Sequence, residues 1–336
     1  MEGKVAVIHL TEEKAVLCVP PAKPFLKVPA YVAKDGYNNI YVADDAASLK
    51  ESNDPSYVKA VSFVFPAGIR YSLFNAFFEF VLSLPIVKAR FRECQYLVAC
   101  SSYASSLNRT YFERFPATFL RQYIDIPTCR FFSDEFLGVN GCHLNEQNGN
   151  NFMALNVTDE FSHLCVPNSR VICYGRKFDI GIDAIVSFFV KLLCEKGYSL
   201  TSTAERKFCK DLVKKYCYVA VDVEAELLAL EAKGGVIAQI NIGDGSTIEL
   251  GKEAFMAPEI LFNPSLIGVD TDGIVSVYNH YCIGRTGMVP IVLVGNFVKN
   301  LKGFRQRFQK ECAVDSIEFK VGDVYNATLI QSLYDS

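Results

Sequence analysis

Two stretches of the chain carry nearly the same acidic phrase, LTEEKAVLCVP at 10–20 and VTDEFSHLCVP at 157–167. Each sets a threonine and two acids, Thr11-Glu12-Glu13 and Thr158-Asp159-Glu160, shortly before Leu-Cys-Val-Pro, and His163 follows the second pair. Carboxylates on a tight turn can hold a hard cation through oxygen ligands. These acids lack the spacing of an EF-hand loop, so a solvated acidic rim is the commoner explanation. A lone histidine on a strand after such a turn is more often packed than catalytic. No catalytic residue and no metal ligand is assigned from these positions.

The flanks position the acids. Val5-Ala6-Val7-Ile8 leads into the first phrase and Phe152-Met153-Ala154-Leu155 into the second. Each unit therefore reads as strand, acidic turn, strand, proline, which is a β-hairpin. Recurrence at the head of each part predicts two like-folded halves. A length of 336 residues suits about two domains of roughly 100–200 residues.

Composition narrows the function classes. Thirty-four basic against 37 acidic residues leave a net charge of −3, which gives no electrostatic reason to expect nucleic acid or an anionic membrane as a direct partner. The twelve cysteines form no C-x-x-C pair and no zinc-spaced cluster. With no signal peptide in view, reduced thiols in a cytosolic or nuclear protein are expected, and the sequons at Asn108, Asn156 and Asn326 are coincidental. The apolar stretch at 75–87 is too short to span a bilayer and contains Glu79, so no membrane is expected.

Along the chain, strands are expected at 4–10, 14–19 and Gln95–Cys100, with a turn at Asp35-Gly36. Helices are expected at 71–84, 108–119 and 133–139. The aromatic residues of 71–80 are assigned to core packing rather than to a partner surface. A helix over 182–197 has apolar Ile185, Val186, Phe189, Val190 and Leu193, and is ended by Gly197. Thr203 is placed as the N-cap of the next helix, 204–216. A hairpin spans 238–250 and a strand 290–294. A basic helix covers 301–312, with Arg305, Arg307 and Lys310 assigned to a solvated face. Segments 316–321 and 325–334 close the chain.

The segment GYSLTSTAERKFCKDLVKKYCYVAVDVEAEL at 197–227 closely resembles actin. It carries Gly197-Tyr198-Ser199, then Thr203-Ala204-Glu205-Arg206 opening a helix, then Cys217-Tyr218-Val219-Ala220 and the acids Asp222, Glu224 and Glu226. The likeness continues through APEILFNPSLIGVDTDGI at 257–274, and is weaker in YVADDAAS at 41–48, Val28-Pro29, residues 107–109 and FDIGID at 178–183. The chain is therefore identified as a divergent actin-related protein, complete apart from its tail. The resemblance implies an α/β, actin-like fold of two ribonuclease-H-like halves around a central cleft. The first half would be 1–143, with a reduced second subdomain at about 30–59. The second would be 144–336, with a fourth subdomain at about 179–267 and the last residues returning to the first half. The two hairpin turns would hold the phosphates of ATP.

That nucleotide site looks degenerate. The family loops are glycine-rich, because glycines let backbone N–H groups approach phosphate oxygens, and their aspartates hold the hydrated metal. Here the loops read His9-Leu10-Thr11-Glu12-Glu13 and Asn156-Val157-Thr158-Asp159-Glu160, with every glycine gone. Ala15 and Val16 stand where a phosphate-binding lysine would be. The resemblance places Asp134 at the water-positioning glutamine and leaves Asp159 and His163 in the family pattern. Val213-Lys214 occupy the nucleoside-contacting Lys-Glu positions. Of the family's glycine-rich turn one glycine remains where this chain reads Gly295-Asn296, and its stacking tyrosine is absent. Four carboxylates would meet about four negative charges of ATP. Two unit charges 4 Å apart interact by about 1 kcal/mol in water and about 4 at an effective dielectric of 20. Charge-assisted hydrogen bonds return about 1.5–3 kcal/mol each.

The sequence thus predicts a pseudo-ATPase: a non-catalytic scaffold with no cofactor, holding protein partners in a multi-subunit cytoskeletal assembly of the cytoplasm, with the nucleus as the other compartment. The short AKDGYNN segment at 33–39 and the end at Ser336 argue against actin-like self-polymerisation. The alternative is a filament-forming protein that binds Mg-ATP. A sugar kinase or chaperone ATPase on the same superfold would need the glycine-rich loops this chain lacks.

Overall fold

The computed structural model describes residues 5–10, 14–19, 25–35, 37, 39–52, 60–62, 71–91, 94–100, 129–142, 152–167, 173–200, 202–242, 247–283, 289–312 and 317–322. The helix expected at 108–119 and the segment 325–334 lie outside these residues. The chain divides into two compact units. One holds Met1–Asn150, Val166–Tyr174 and Gly322–Ser336; the other holds Asn151–Cys165 and Gly175–Val321.

In the first unit, β1 (Val5–Leu10) and β2 (Lys14–Cys18) form an antiparallel hairpin, and β3 (Leu26–Pro29) adds antiparallel to β2. Next come β4 (Tyr31–Lys34), β5 (Ile40–Val42), α1 (Asp44–Ser52) and β6 (Ala60–Ser62), a small three-stranded sheet with its helix. The Asp35 carboxylate organises the β4–β5 turn, accepting hydrogen bonds from the Tyr37 and Asn39 backbone N–H groups. Helices α2 (Tyr71–Ser83) and α3 (Pro85–Phe91) follow, then β7 (Gln95–Cys100), β8 (Cys129–Ser133) and α4 (Asp134–Asn140). The main sheet runs β3-β2-β1-β7-β8, with β7 parallel to both β1 and β8. Every residue of β1 is buried, as a central strand covered on both faces requires. Ala6, Ile8 and Leu10 pack against Phe77, Phe78, Val81 and Leu82, which lie on one face of α2. Those aromatics are core, as expected.

The second unit repeats the plan. Strands β9 (Met153–Val157) and β10 (Ser162–Pro167) form the second antiparallel hairpin, and β11 (Cys173–Phe178) lies beyond β10. Helices α5 (Ile182–Glu195), α6 (Thr203–Tyr216) and α7 (Val223–Ala232) lead to the hairpin β12 (Ala238–Asn241) and β13 (Thr247–Leu250). Then come α8 (Glu253–Glu259), α9 (Ile274–Cys282), β14 (Ile291–Val294), α10 (Asn296–Asn300), α11 (Phe304–Glu311) and β15 (Phe319–Val321). The main sheet runs β11-β10-β9-β14-β15, with β14 parallel to β9 and β15. Hairpin, third strand, then two parallel strands is the order of both main sheets, so the repeated phrase marks a repeated topology.

Two local expectations are corrected. Ser202, not Thr203, caps α6: its hydroxyl accepts from Glu205 N–H while the Glu205 carboxylate accepts from Ser202 N–H, a full capping box. The basic helix α11 does not simply present its cations to water. The Arg307 side chain is only 13% exposed and pairs with Glu259 at 2.8 Å, and Lys310 pairs with Asp222 at 2.7 Å. No described helix is long and apolar enough to cross a membrane.

Candidate functional site

The first hairpin turn, Thr11, Glu12 and Glu13, lies outside the described residues, but its base does not. His9, the penultimate residue of β1, directs Nε2 to Asp134 Oδ2 at 3.1 Å, and both side chains are nearly buried. Asp134 opens α4, where Ser133 caps the helix by accepting from Phe136 N–H. The other Asp134 carboxylate oxygen is buried without a hydrogen-bond partner. Two positions that the family resemblance assigns to nucleotide chemistry are thus spent on each other. Ala15 and Val16 are buried on β2 and bring no cation.

The second turn is described completely. Thr158 N–H donates to Phe161 O at 2.9 Å, and Phe161 N–H donates to Thr158 Oγ1 at 3.1 Å. The turn carbonyls also have fixed partners. Ile182 N–H donates to Thr158 O and Asp183 N–H to Asp159 O, so the first amides of α5 are bound to the turn itself. Gly181 makes this contact possible, since a Cβ there would stand 2.4 Å from Asp159 O. Glu160 is exposed at the tip.

Asp159 is not an uncompensated acid. Lys210 of α6 places Nζ 2.7 Å from Asp159 Oδ1 and 3.2 Å from Asp183 Oδ1, with its own side chain 14% exposed. The expected tally of four uncompensated carboxylates is therefore too high: a lysine remote in sequence neutralises Asp159. Sequence reasoning passed over Lys210, Asp183 and Gly181. No local signal marks Lys210, which is one of five cations on α6 beside Arg206, Lys207, Lys214 and Lys215.

Asn156 and His163 face each other across the β9–β10 pair, and Val294 of β14 is the parallel partner of Asn156 on the other side. Asn156 is buried against Gly295, whose φ of +82° excludes most side chains and whose Cβ, if present, would lie 2.9 Å from Asn156 Oδ1. Asn296 begins α10 and is exposed. Burial, aided by the Lys177 ammonium, holds the His163 pKa down at about 4, so its imidazole is neutral at pH 7. On α6, Val213 is fully buried and Lys214 is exposed. Structure thus joins His9 with Asp134, Asp159 with Lys210, and Asn156 with His163 and Gly295, while Val213 lies in the core.

The fold and these paired hairpins define an α/β protein with a duplicated hairpin-and-parallel-strand sheet. No protein-family model matches the chain. It is 41% identical over 119 residues to actin-related protein 2 of Caenorhabditis briggsae, covering 34% of this chain and 30% of that relative. It is 37% identical over 100 residues to actin-related protein 2 of Drosophila melanogaster, covering 30% and 25%. Against centractin of Schizosaccharomyces pombe it is 28% identical over 138 residues, covering 40% and 36%. The chain therefore spans between a quarter and somewhat over a third of the length of these relatives. Over these stretches the chain is similar to actin-related proteins.

Proposed function

We propose that this chain is a pseudo-ATPase: an actin-related protein that has given up nucleotide chemistry and serves as a non-catalytic structural subunit, holding protein partners in a larger cytoskeletal or nuclear assembly. The observation that carries the proposal is the closure of the second hairpin turn. A phosphate loop works by leaving backbone N–H groups aimed outward at an anion. Here the Thr158 and Phe161 amides are used within the turn, and the Ile182 and Asp183 amides are used by its carbonyls. The one acid kept in the family pattern, Asp159, is held by Lys210 rather than left to orient a metal. His9 and Asp134 support the same reading in the first hairpin. These residues do not fit a bound Mg-nucleotide.

The test is the nucleotide content of protein purified from its own cells without added ATP, with phosphate release and sedimentation of filaments measured beside it. A nucleotide-free chain that releases no phosphate and stays in the supernatant supports the scaffold. Stoichiometric bound nucleotide with sedimenting polymer supports the alternative, an ATP-binding filament protein. One observation favours that alternative: Gly295 keeps a positive φ of +82° at the start of α10, a backbone that glycine adopts readily where a chain must approach a ligand closely.

A further inference from the structure

We infer that the outer face of α7 is a docking surface for a basic amphipathic helix of a partner protein. Seven of the ten residues of α7, VEAELLALEA, are apolar. A helix this rich in apolar residues ordinarily buries a broad stripe of them. Yet α7 fully buries only Leu230, while Val223 and Leu227 lean half-buried on the small cluster of Ala220 and Phe255. The opposite side is open. Ala225, Leu228, Ala229 and Ala232 are all exposed, Leu228 by 68%. Their spacings of three, four and seven place them in one stripe. One projecting leucine among alanines suits close helix packing, at an axial separation near ~8 Å.

Charge selects the occupant. Glu224 and Glu231 border the stripe on one side and are both exposed, with no side-chain partner among the described residues. Glu226, on the opposite border, is taken by the Tyr218 hydroxyl at 2.7 Å. Two acids seven residues apart stand about 10.5 Å apart along the axis. The complementary surface is an apolar helical stripe edged by Lys or Arg at the same interval. A second copy of α7 would bring glutamates against glutamates. The chain's own basic helix, α11, has its apolar residues Phe304 and Phe308 already buried in the core. A separate basic helix is the occupant that remains.

This inference deepens the partner-holding function proposed above but does not require nucleotide loss. Its failure would leave the nucleotide measurements standing, and the converse holds too. The test places the photoreactive residue p-benzoylphenylalanine at position 228 of the full chain in its native cells, and sequences the crosslinked peptide. The expected product is a segment of another protein with apolar residues at helical spacing and flanking Lys or Arg. The double substitution Glu224→Lys with Glu231→Lys should lower its yield about tenfold without changing thermal melting. No product, a product with this same chain, a segment without the basic edge, or a yield indifferent to charge reversal would each overturn the inference.

Discussion

Replacing His163 by glutamine should change how stability depends on pH. The residue is buried on β10, and its pKa falls from 6.5 in the unfolded chain to about 4 in the fold, first through loss of hydration and then through the Lys177 charge. The unfolded state therefore binds a proton more readily, so native stability present above pH 6.5 is lost as pH falls toward 4. At about 1.36 kcal/mol per unit, the full loss is about 3 kcal/mol, of which about 2 kcal/mol has gone by pH 5. Glu259 works in the opposite direction. Burial pushes its pKa up to about 7 against the pull of Arg307, so its contribution favours the fold at low pH and is lost as pH rises through 7. The two nearly oppose each other in the wild-type profile, so the variant must be compared with wild type at each pH. Urea denaturation between pH 7.5 and 5 should show the stability gap between wild type and His163→Gln shrinking by about 2 kcal/mol toward acid. A gap constant across that range would refute a buried neutral imidazole.

Other substitutions follow from the same geometry. His9→Ala leaves the Asp134 carboxylate buried without its partner and should cost about 1–3 kcal/mol in denaturation, with part recovered by adding Asp134→Asn. Gly295→Ala forces a Cβ against Asn156 at positive φ and should lower stability by about 1–3 kcal/mol, measured in the same way. Arg307→Met strands Glu259 beneath α11 and should cost about 3 kcal/mol at pH 8, but less at pH 6, where Glu259 takes up a proton.

Much of the fold was legible because its signals are local. The two hairpins announced themselves through apolar runs around acidic turns, and α2 through Phe77, Phe78, Val81 and Leu82 at helical spacing. The α6 cap was misplaced by one residue although the Ser-x-x-Glu signal was present, since Thr203 competes for the same place. The candidate site was less legible. Its residue types could be read as departures from a phosphate loop, but their replacement contacts are long-range. Nothing local ties His9 to Asp134 or Lys210 to Asp159. Arg307 fails for the same reason: a cation on an otherwise polar helix looks solvated until α8 brings Glu259 beneath it.

The central claim is that the closed turn no longer receives phosphate. Calorimetric titration of the full chain with Mg-ATP, beside thermal melting with and without nucleotide, tests it most directly. A ligand at 100 times its Kd stabilises a fold by about 2.7 kcal/mol, which melting would register. The account predicts no heat of binding and no shift in melting temperature at millimolar Mg-ATP. Micromolar binding with a matching rise in melting temperature would contradict it.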